Sequence, residues 1–449
     1  MNLKAFEHIY FVGIGGIGMS ALARYFHAIG KTVSGYDKTS SSITANLQSI
    51  GIEVSCYDSV QEMNSLAINP SNTLVVYTPA IPKTNNILNH FIRHRFEVVK
   101  RAQVLGLITQ DSFCMAVAGT HGKTTTSSIL GHLLHVTGQS ATTFLGGISE
   151  NYNSNLIQNG HEITVVEADE FDRSFLTLQP DFACITSIDP DHLDIYGDST
   201  TLVQAFTDFA QLVPDKGLLF IHNEVTLQGI TYGVETQSDY AAIGVKIYNG
   251  TYHFDLKTPS DTIKNFELNM AGKHNLSNAV VALAMALEKG ISADLLKDAL
   301  KQYKGVKRRF SYILKSETLV FIDDYAHHPK EINAVSKALK EMHPNQKVTV
   351  VFQPHLFSRT QDFVDEFAQA LSDFDAVLLL EIYPAREHPI EGVSSGWLLQ
   401  KIQSRYKQLV KKAALVDTIK AIGNPLLVTL GAGDIGAEVE RLKNSLIHA

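Results

Sequence analysis

The sequence predicts an α/β fold in three consecutive domains, on three observations. An apolar run near the start (Ile9–Val12) breaks into a glycine turn, a second run (Phe113–Ala118) breaks into a glycine turn ending in Lys-Thr, and strand and helix patterns alternate again beyond residue 314. A chain of 449 residues is too long for one core and anticipates about three domains. The expected division is 1–111, a Rossmann-like parallel sheet; 112–313, a P-loop ATPase-type α/β domain with a small antiparallel sheet; and 314–449, a second Rossmann-like domain.

Composition excludes several classes. Hydrophobic residues at 45% and charged residues at 19% are those of an ordinary soluble protein. The formal charge of −8 lacks long basic runs, so no nucleic-acid footprint is expected. No signal pattern and no apolar run of membrane-spanning length is present, so the expectation is a cytoplasmic protein without membrane insertion. Cys56, Cys114 and Cys184 have neither paired nor metal-type spacing, and Cys114 and Cys184 read as buried reduced thiols.

In the first segment Gly13, Gly15 and Gly18 fit G-x-G-x-x-G, and Asp37 ends the next strand, Thr32–Tyr36. That is the dinucleotide fingerprint, with the acid placed for a ribose hydroxyl. Its physics requires only a diphosphate at a helix N-terminus, so a UDP-sugar satisfies it as well as a nicotinamide dinucleotide. The run from Thr73 ends in a loop containing Pro79 and Pro82, either a ligand edge or a rigid turn. A helix from Arg101 leads into the middle segment.

There Gly119-Thr120-His121-Gly122-Lys123-Thr124-Thr125 lies between a buried strand and the apolar helix face of Ile129–Leu134. Glycines let backbone N–H groups crowd round an anion, Lys123 reaches outer phosphates and the Thr124 hydroxyl suits Mg²⁺. The usual spacing wants one more glycine where Val117 stands, so this is a variant phosphate loop. Two further strands end in acids: Glu167, Asp169, Glu170 and Asp172, then Asp189, Asp191, His192 and Asp194. Glu167, preceded by buried valines, reads as a metal ligand and His192 as an unusual nitrogen ligand, whereas Asp172, Asp189 and Asp194 read as solvated. Residues 240–270 read as short antiparallel strands beside the main sheet. Asn275 and Asn278, in the first turns of an apolar helix, fit either caps or an adenine edge. Lys307-Arg308-Arg309 is a basic turn, suited to a phosphate or simply solvated.

In the last segment four strands end in chemistry: Asp323-Asp324-Tyr325 with His327 and His328, Gln353-Pro354-His355 with Arg359, Glu381 to Arg386, and Gly431 to Asp434. Four such clusters at strand C-terminal ends argue for a binding face.

Taken together the chain resembles the Mur ligases, from Ile9 to Ile435. The resemblance rests on GIGGIGMS (13–20), GTHGKTTT (119–126), EADE (167–170), DPDHLD (189–194), HNLSNA (274–279), GVKRRF (305–310), DDYAHHP (323–329) and LGAGDI (430–435). It implies an ATP-dependent ligase of peptidoglycan precursor synthesis, joining L-alanine to the lactyl carboxylate of UDP-N-acetylmuramate through an acyl phosphate. By the same resemblance Gly15, Gly16 and Gly18 meet the UDP diphosphate with Asp37 nearby, and Gly119 to Thr125 wrap ATP. Thr124 and Glu167 bind one Mg²⁺, and Glu167 with His192 a second. Asn275 and Asn278 meet adenine, Arg309 the phosphates and Asp324 the ribose. Tyr325, His327 and Arg359 form the amino-acid pocket, and Lys123, Glu167, His192 and His327 carry the catalysis. Two positions depart from the family pattern: Phe171, where many relatives have Ser, and Leu356, where the family often has Arg. Arg359 then remains as the loop's cation for the alanine carboxylate, with Arg386 as its alternative. Two small-molecule substrates and a monomer or weak homodimer complete the expectation. The rival readings are a Mur ligase for another amino acid or a tripeptide, an NAD-dependent oxidoreductase, and a nucleotide-gated binding module.

Overall fold

The computed structural model describes residues 1–63, 68–189, 196, 198–214, 217–248, 250–385 and 387–447. The chain divides into two compact units. The first is Met1–Val245 with Phe254–Leu268 and Ser277–Lys304; the second is Lys246–His253 with Asn269–Leu276 and Gly305–Ala449.

Among the described residues the strands form three sheets. The N-terminal sheet contains β1 (His8–Val12), β2 (Thr32–Tyr36), β3 (Glu53–Ser55), β4 (Thr73–Tyr77) and β5 (Glu97–Lys100), in the order β3-β2-β1-β4-β5, all parallel. β1 is central and wholly buried, as its unbroken apolar run demands. The order reverses beside β1, so the turn after it occupies the switch point where open α/β sheets bind ligands.

The middle sheet contains β6 (Phe113–Ala118), β7 (Ala141–Ser149), β8 (Ser154–Gln158), β9 (Ile163–Ala168), β10 (Phe182–Ile185), β11 (Leu218–His222), β12 (Ile230–Val234), β13 (Tyr240–Tyr248), β14 (Thr251–Lys257) and β15 (Thr262–Leu268). Its order is β15-β14-β13-β12-β11-β10-β6-β9-β7-β8. The strands between residues 240 and 270 therefore continue the main sheet instead of standing beside it, because β13 pairs in parallel with β12. β6 is flanked by β9 and β10, both parallel to it, so the acid-rich ends of those two strands lie on either side of the phosphate loop.

The third sheet contains β16 (Ser311–Lys315), β17 (Val320–Asp324), β18 (Val348–Phe352), β19 (Ala376–Leu379), β20 (Tyr406–Leu409) and β21 (Leu426–Leu430), in the order β16-β17-β21-β18-β19-β20. β16 is antiparallel to β17 and the other pairings are parallel. The edge strands β16 and β20 lack the apolar runs that reveal the four inner strands, and β20 is exposed throughout.

Helices start where local chemistry allows. Asn85, Asp198 and Ser394 accept first-turn N–H groups of the helices that follow them. Pro329 opens the helix Pro329–Met342, and the Glu331 carboxylate turns back to accept the His328 N–H. Within the first unit one apolar core runs from the N-terminal sheet into the middle sheet, through Phe11, Phe26, Ala116, Phe175 and Phe206. Cys114 and Cys184 are buried and reduced, and burial pushes the Cys114 thiol up to about 12. Among the described residues no helix is long and apolar enough to cross a membrane.

Candidate active site

The phosphate loop follows directly from the central strand. Gly119 (φ +132°) and Gly122 (φ +84°) both take backbone conformations that side chains resist. A Cβ on Gly119 would also run into Thr186 and the Ser187 backbone N, and one on Gly122 would stand 2.7 Å from Asn278 Oδ1. Gly122 caps the helix Lys123–Val136, whose first-turn amides and dipole face the loop. The end of β10 braces this turn. Thr186 Oγ1 donates to the Ala118 and His121 carbonyls, and Ser187 Oγ accepts the His121 N–H at 2.9 Å. Asp189, expected in solvent, instead lies with Oδ2 3.5 Å from His121 Nε2 and its backbone N–H on Thr120 Oγ1. The cause is the strand order, which sets the end of β10 against the loop.

The end of β9 supplies carboxylates on the other side. Lys123 Nζ donates to both Glu170 oxygens at 2.9 and 2.7 Å and to the Gly119 carbonyl. Burial pulls the lysine pKa down, but Glu170, Asp169 and Glu167 outweigh it and hold the ammonium above its ordinary value. Glu167 accepts the Thr124 hydroxyl at 3.0 Å and the Gly146 N–H at 2.5 Å. A Cβ on Gly146 would come within 2.6 Å of that carboxylate, so β7 must carry glycine there. A hydroxyl and a carboxylate side by side fit Mg²⁺, a hard cation commonly held by one or two protein oxygens plus phosphates and water. Among the described residues no group of three or more His, Cys, Asp or Glu could hold a metal alone. His192, with Asp191 and Asp194, lies outside the described residues.

In the N-terminal turn Gly15 N–H donates to Asp37 Oδ2 at 2.9 Å, and Asp37 Oδ1 accepts the Thr39 N–H at 3.0 Å. Gly16 caps the helix Ile17–Ala28 without a side-chain bond. Pro79 sits in a turn closed by Ile81 N–H on the Thr78 carbonyl, and Pro82 starts a second one closed by Asn85 N–H on its own carbonyl. From the middle sheet, Asn155 of β8 donates to the Ile17 carbonyl and to Ser20 Oγ at 2.8 Å, tying that helix down. Arg101 packs against Gly18 and pairs with Asp169 Oδ2 at 3.3 Å.

In the second unit the ends of β17, β21, β18 and β19 assemble a cluster of their own residues. Asp324 is buried and accepts the Phe310 and Ala326 N–H groups at 2.6 and 2.7 Å. Burial raises its pKa to about 6 against the pull of Arg309. Both arginines of the basic turn cover the Tyr325 ring, Arg308 at 5.1 Å and Arg309 at 5.3 Å. Arg308 is bound inward, to Asp323 Oδ2 at 2.9 Å and to the Gly431 carbonyl, whereas Arg309 reaches Glu331 only at 3.9 Å. His327 Nδ1 lies 3.0 Å from the Tyr325 carbonyl and 3.3 Å from Glu331 Oε2. A carbonyl only accepts, so Nδ1 carries the proton and Nε2 is the basic nitrogen. The His327 and His355 rings are 6.0 Å apart, and His355 Nδ1 is 3.4 Å from the buried Arg359 guanidinium. Leu356 takes φ +73°. Its N–H bonds the Tyr383 carbonyl, joining the loops after β18 and β19. Tyr325, His327 and Arg359 thus fall in one cluster. Arg386 lies outside the described residues.

The two asparagines part company. The Asn275 amide donates to the Ala271 carbonyl at 2.7 Å, just ahead of the helix Lys273–Glu288, while Asn278 lies against Gly122. Reading the sequence missed Glu170 as the lysine's partner, Gly146 behind Glu167, Thr186 and Ser187 behind the loop, and Glu331 behind His327. Glu331 alone had a local signal, three residues after the helix cap at His328.

The chain is similar to known proteins over its whole length. Residues 8–112 match the Mur ligase family catalytic domain, 117–286 the Mur ligase middle domain and 308–435 the Mur ligase glutamate ligase domain. UDP-N-acetylmuramate–L-alanine ligase from Christiangramia forsetii is 55% identical over 448 residues, covering 100% of this chain and 99% of that protein. The enzyme of the same name from Flavobacterium psychrophilum is 54% identical, with 99% of each chain covered. The crystal structure of UDP-N-acetylmuramate-alanine ligase MurC from Thermotoga maritima superposes with a TM-score of 0.84 at 28% identity, covering 98% of this chain and 99% of that one.

Proposed function

The chain belongs to the Mur ligase family, and from that premise we propose that it joins L-alanine to the lactyl carboxylate of UDP-N-acetylmuramate, converting ATP to ADP and phosphate. The observation that carries this reading is the Thr124–Glu167 pair beside Lys123 at the end of β6, in a chain that aligns end to end with L-alanine-adding relatives. Residues 1–111 take the UDP portion, 112–313 take ATP and 314–449 take the amino acid. With soluble nucleotide substrates, the reaction on this reading is cytoplasmic.

A carboxylate is a poor acyl donor because oxide would have to leave. Transfer of the ATP γ-phosphoryl group to a lactyl oxygen breaks the bridging P–O bond, releases ADP and leaves an acyl phosphate. Such transfer needs positioning and charge neutralisation more than covalent help. Lys123 supplies both, and the carboxylates around it keep it charged over the physiological range. Glu170 holds the lysine over the loop, and phosphate oxygens replace that carboxylate when ATP binds. Asn278, against Gly122, is placed for the nucleotide; Asn275, Arg309 and Asp324 are the further ATP contacts of this reading. Thr124 and Glu167, with His192, would hold Mg²⁺, which neutralises charge on the transferring phosphoryl group.

The alanine amine then attacks the acyl carbon. A C–N bond forms, the C–O bond to phosphate breaks, and one amine proton must leave. His327 is the residue we assign to that proton; its support is that Glu331 and the Tyr325 carbonyl hold Nδ1–H, which leaves Nε2 as the acceptor. Arg359, backed by His355, is the cation for the alanine carboxylate. No protein nucleophile is required.

A mass-shift assay tests the reading. UDP-N-acetylmuramate and ATP are offered with alanine, glycine, serine or a tripeptide, and alanine should give the dominant amide product. Preferred use of the tripeptide, or no amide product, would refute it.

A further inference from the structure

We propose that Arg101 is the cation that binds the diphosphate at the N-terminal glycine turn, and that Asp169 holds it there until the substrate arrives. The inference rests on the uridine-diphosphate reading above. That turn carries a carboxylate of its own, since Asp37 is bonded to the Gly15 and Thr39 N–H groups. A diphosphate brought to the turn would meet this like charge, so backbone amides alone make a poor site and a nearby cation is called for.

Arg101 is placed to supply it. Its guanidinium lies so close to the Gly18 Cα that a Cβ there would collide with Nη1. Gly18 is the second residue of the helix Ile17–Ala28, so the charge stands at the end where anions gather. In the dinucleotide fingerprint the third glycine serves helix–strand packing. Here it makes room for an arginine that comes from the helix Arg101–Gln110, beyond the sheet's last strand.

The pairing with Asp169 is of the kind a diphosphate can displace. It is a single contact of 3.3 Å, with the Arg101 side chain 28% and the Asp169 side chain 39% exposed. Partly exposed single contacts are weak, whereas a guanidinium meets phosphate oxygens through two parallel bonds. Asp169 Oδ1 accepts the Phe171 N–H at 3.1 Å, so this carboxylate is itself fixed and holds Arg101 over Gly18. Its neighbour Glu170 does the same for Lys123. Two consecutive acids at the end of β9 therefore each hold a phosphate-binding cation, one for each nucleotide.

The test is calorimetric titration of UDP into full-length wild type, Arg101→Gln and Asp169→Asn. KM for UDP-N-acetylmuramate and for ATP is measured on the same preparations. Arg101→Gln should weaken UDP binding and raise KM for UDP-N-acetylmuramate by at least about tenfold, with KM for ATP within about twofold of wild type. Asp169→Asn, which removes the ion pair and keeps the cation, should bind UDP at least as tightly as wild type. Wild-type UDP affinity in Arg101→Gln would overturn the proposal. So would equal losses in the two variants, which would make the ion pair merely structural. A wild-type protein that neither binds UDP nor turns over the UDP-sugar would instead overturn the functional reading, and the proposal with it.

Discussion

The turn after β1 and the turn after β6 are built alike: a buried parallel strand, a run of glycines and a helix that starts without a side-chain cap. They differ in what faces the helix end. At Gly15 the near group is a carboxylate, Asp37, already bonded to backbone N–H groups, and the cation comes from another helix. At Gly122 the next two residues are the lysine and threonine themselves, each held by a glutamate, Glu167 in β9 and Glu170 just beyond it. The first arrangement can bind an anion and leave it unchanged. On the function proposed above, the second steers a phosphoryl group, because Lys123 and the Thr124–Glu167 pair stand together at the helix end. The glycines make room for phosphate; the side chains around them decide whether it moves.

Lys123→Ala breaks this contrast most sharply, by making the second turn as passive as the first. ADP release should fall at least about 1,000-fold. Circular dichroism should show an unchanged fold. Next is Glu167→Gln, which keeps the Thr124 contact but removes charge. Turnover should drop by about 100-fold or more, partly recovered at high Mg²⁺ in a metal titration.

The glycines themselves give a paired comparison. Gly119→Ala forces a left-handed conformation against Thr186 and should destabilise the fold by about 1–3 kcal/mol in urea unfolding. Gly16→Ala has 3.5 Å of clearance to the nearest atom and a φ of −62°, so stability should stay within about 0.5 kcal/mol of wild type. KM for UDP-N-acetylmuramate should nonetheless rise about tenfold if the diphosphate packs on this backbone, the loss of roughly one hydrogen bond to a charged group.

The smallest effect is one of pH. With its pKa raised in the folded protein, Lys123 contributes stability that is fully present below the unfolded lysine value. That contribution is lost only as pH rises through the higher folded value. Glu170→Gln removes the largest raising influence, so the lysine pKa should fall from its raised position while Asp169 and Glu167 still oppose burial. The alkaline limb of kcat/KM for ATP should move to lower pH in this variant. An unmoved limb would show that Glu170 does not set the lysine's charge.

Much of this was legible in the residue order because it is local. Both glycine turns, the inner strands of all three sheets, Lys123 with Thr124, and the acids closing β9 stand within a few residues of the features that reveal them. What escaped is set by strand order. Placing β6 between β9 and β10 puts Thr186, Ser187 and Asp189 against the loop, and no periodicity in the sequence reports that β10 crosses to the far side of β6. Asn155 reaches Ile17, Arg101 reaches Asp169 and Arg308 reaches Gly431 for the same reason: each bond joins ends of elements far apart in sequence. The alternation over 240–268 marks strands, but their attachment to the main sheet depends on the β12–β13 pairing. The exposed edge strand β20 had no apolar signal to read.

The most direct test of the account is ADP release by the wild-type protein with ATP and Mg²⁺, assayed with neither, either or both of UDP-N-acetylmuramate and L-alanine. Sustained release is expected only with both present, with one amide formed per ADP. Release at the same rate without the UDP-sugar would contradict it, because Lys123 would then be directing the phosphoryl group to water.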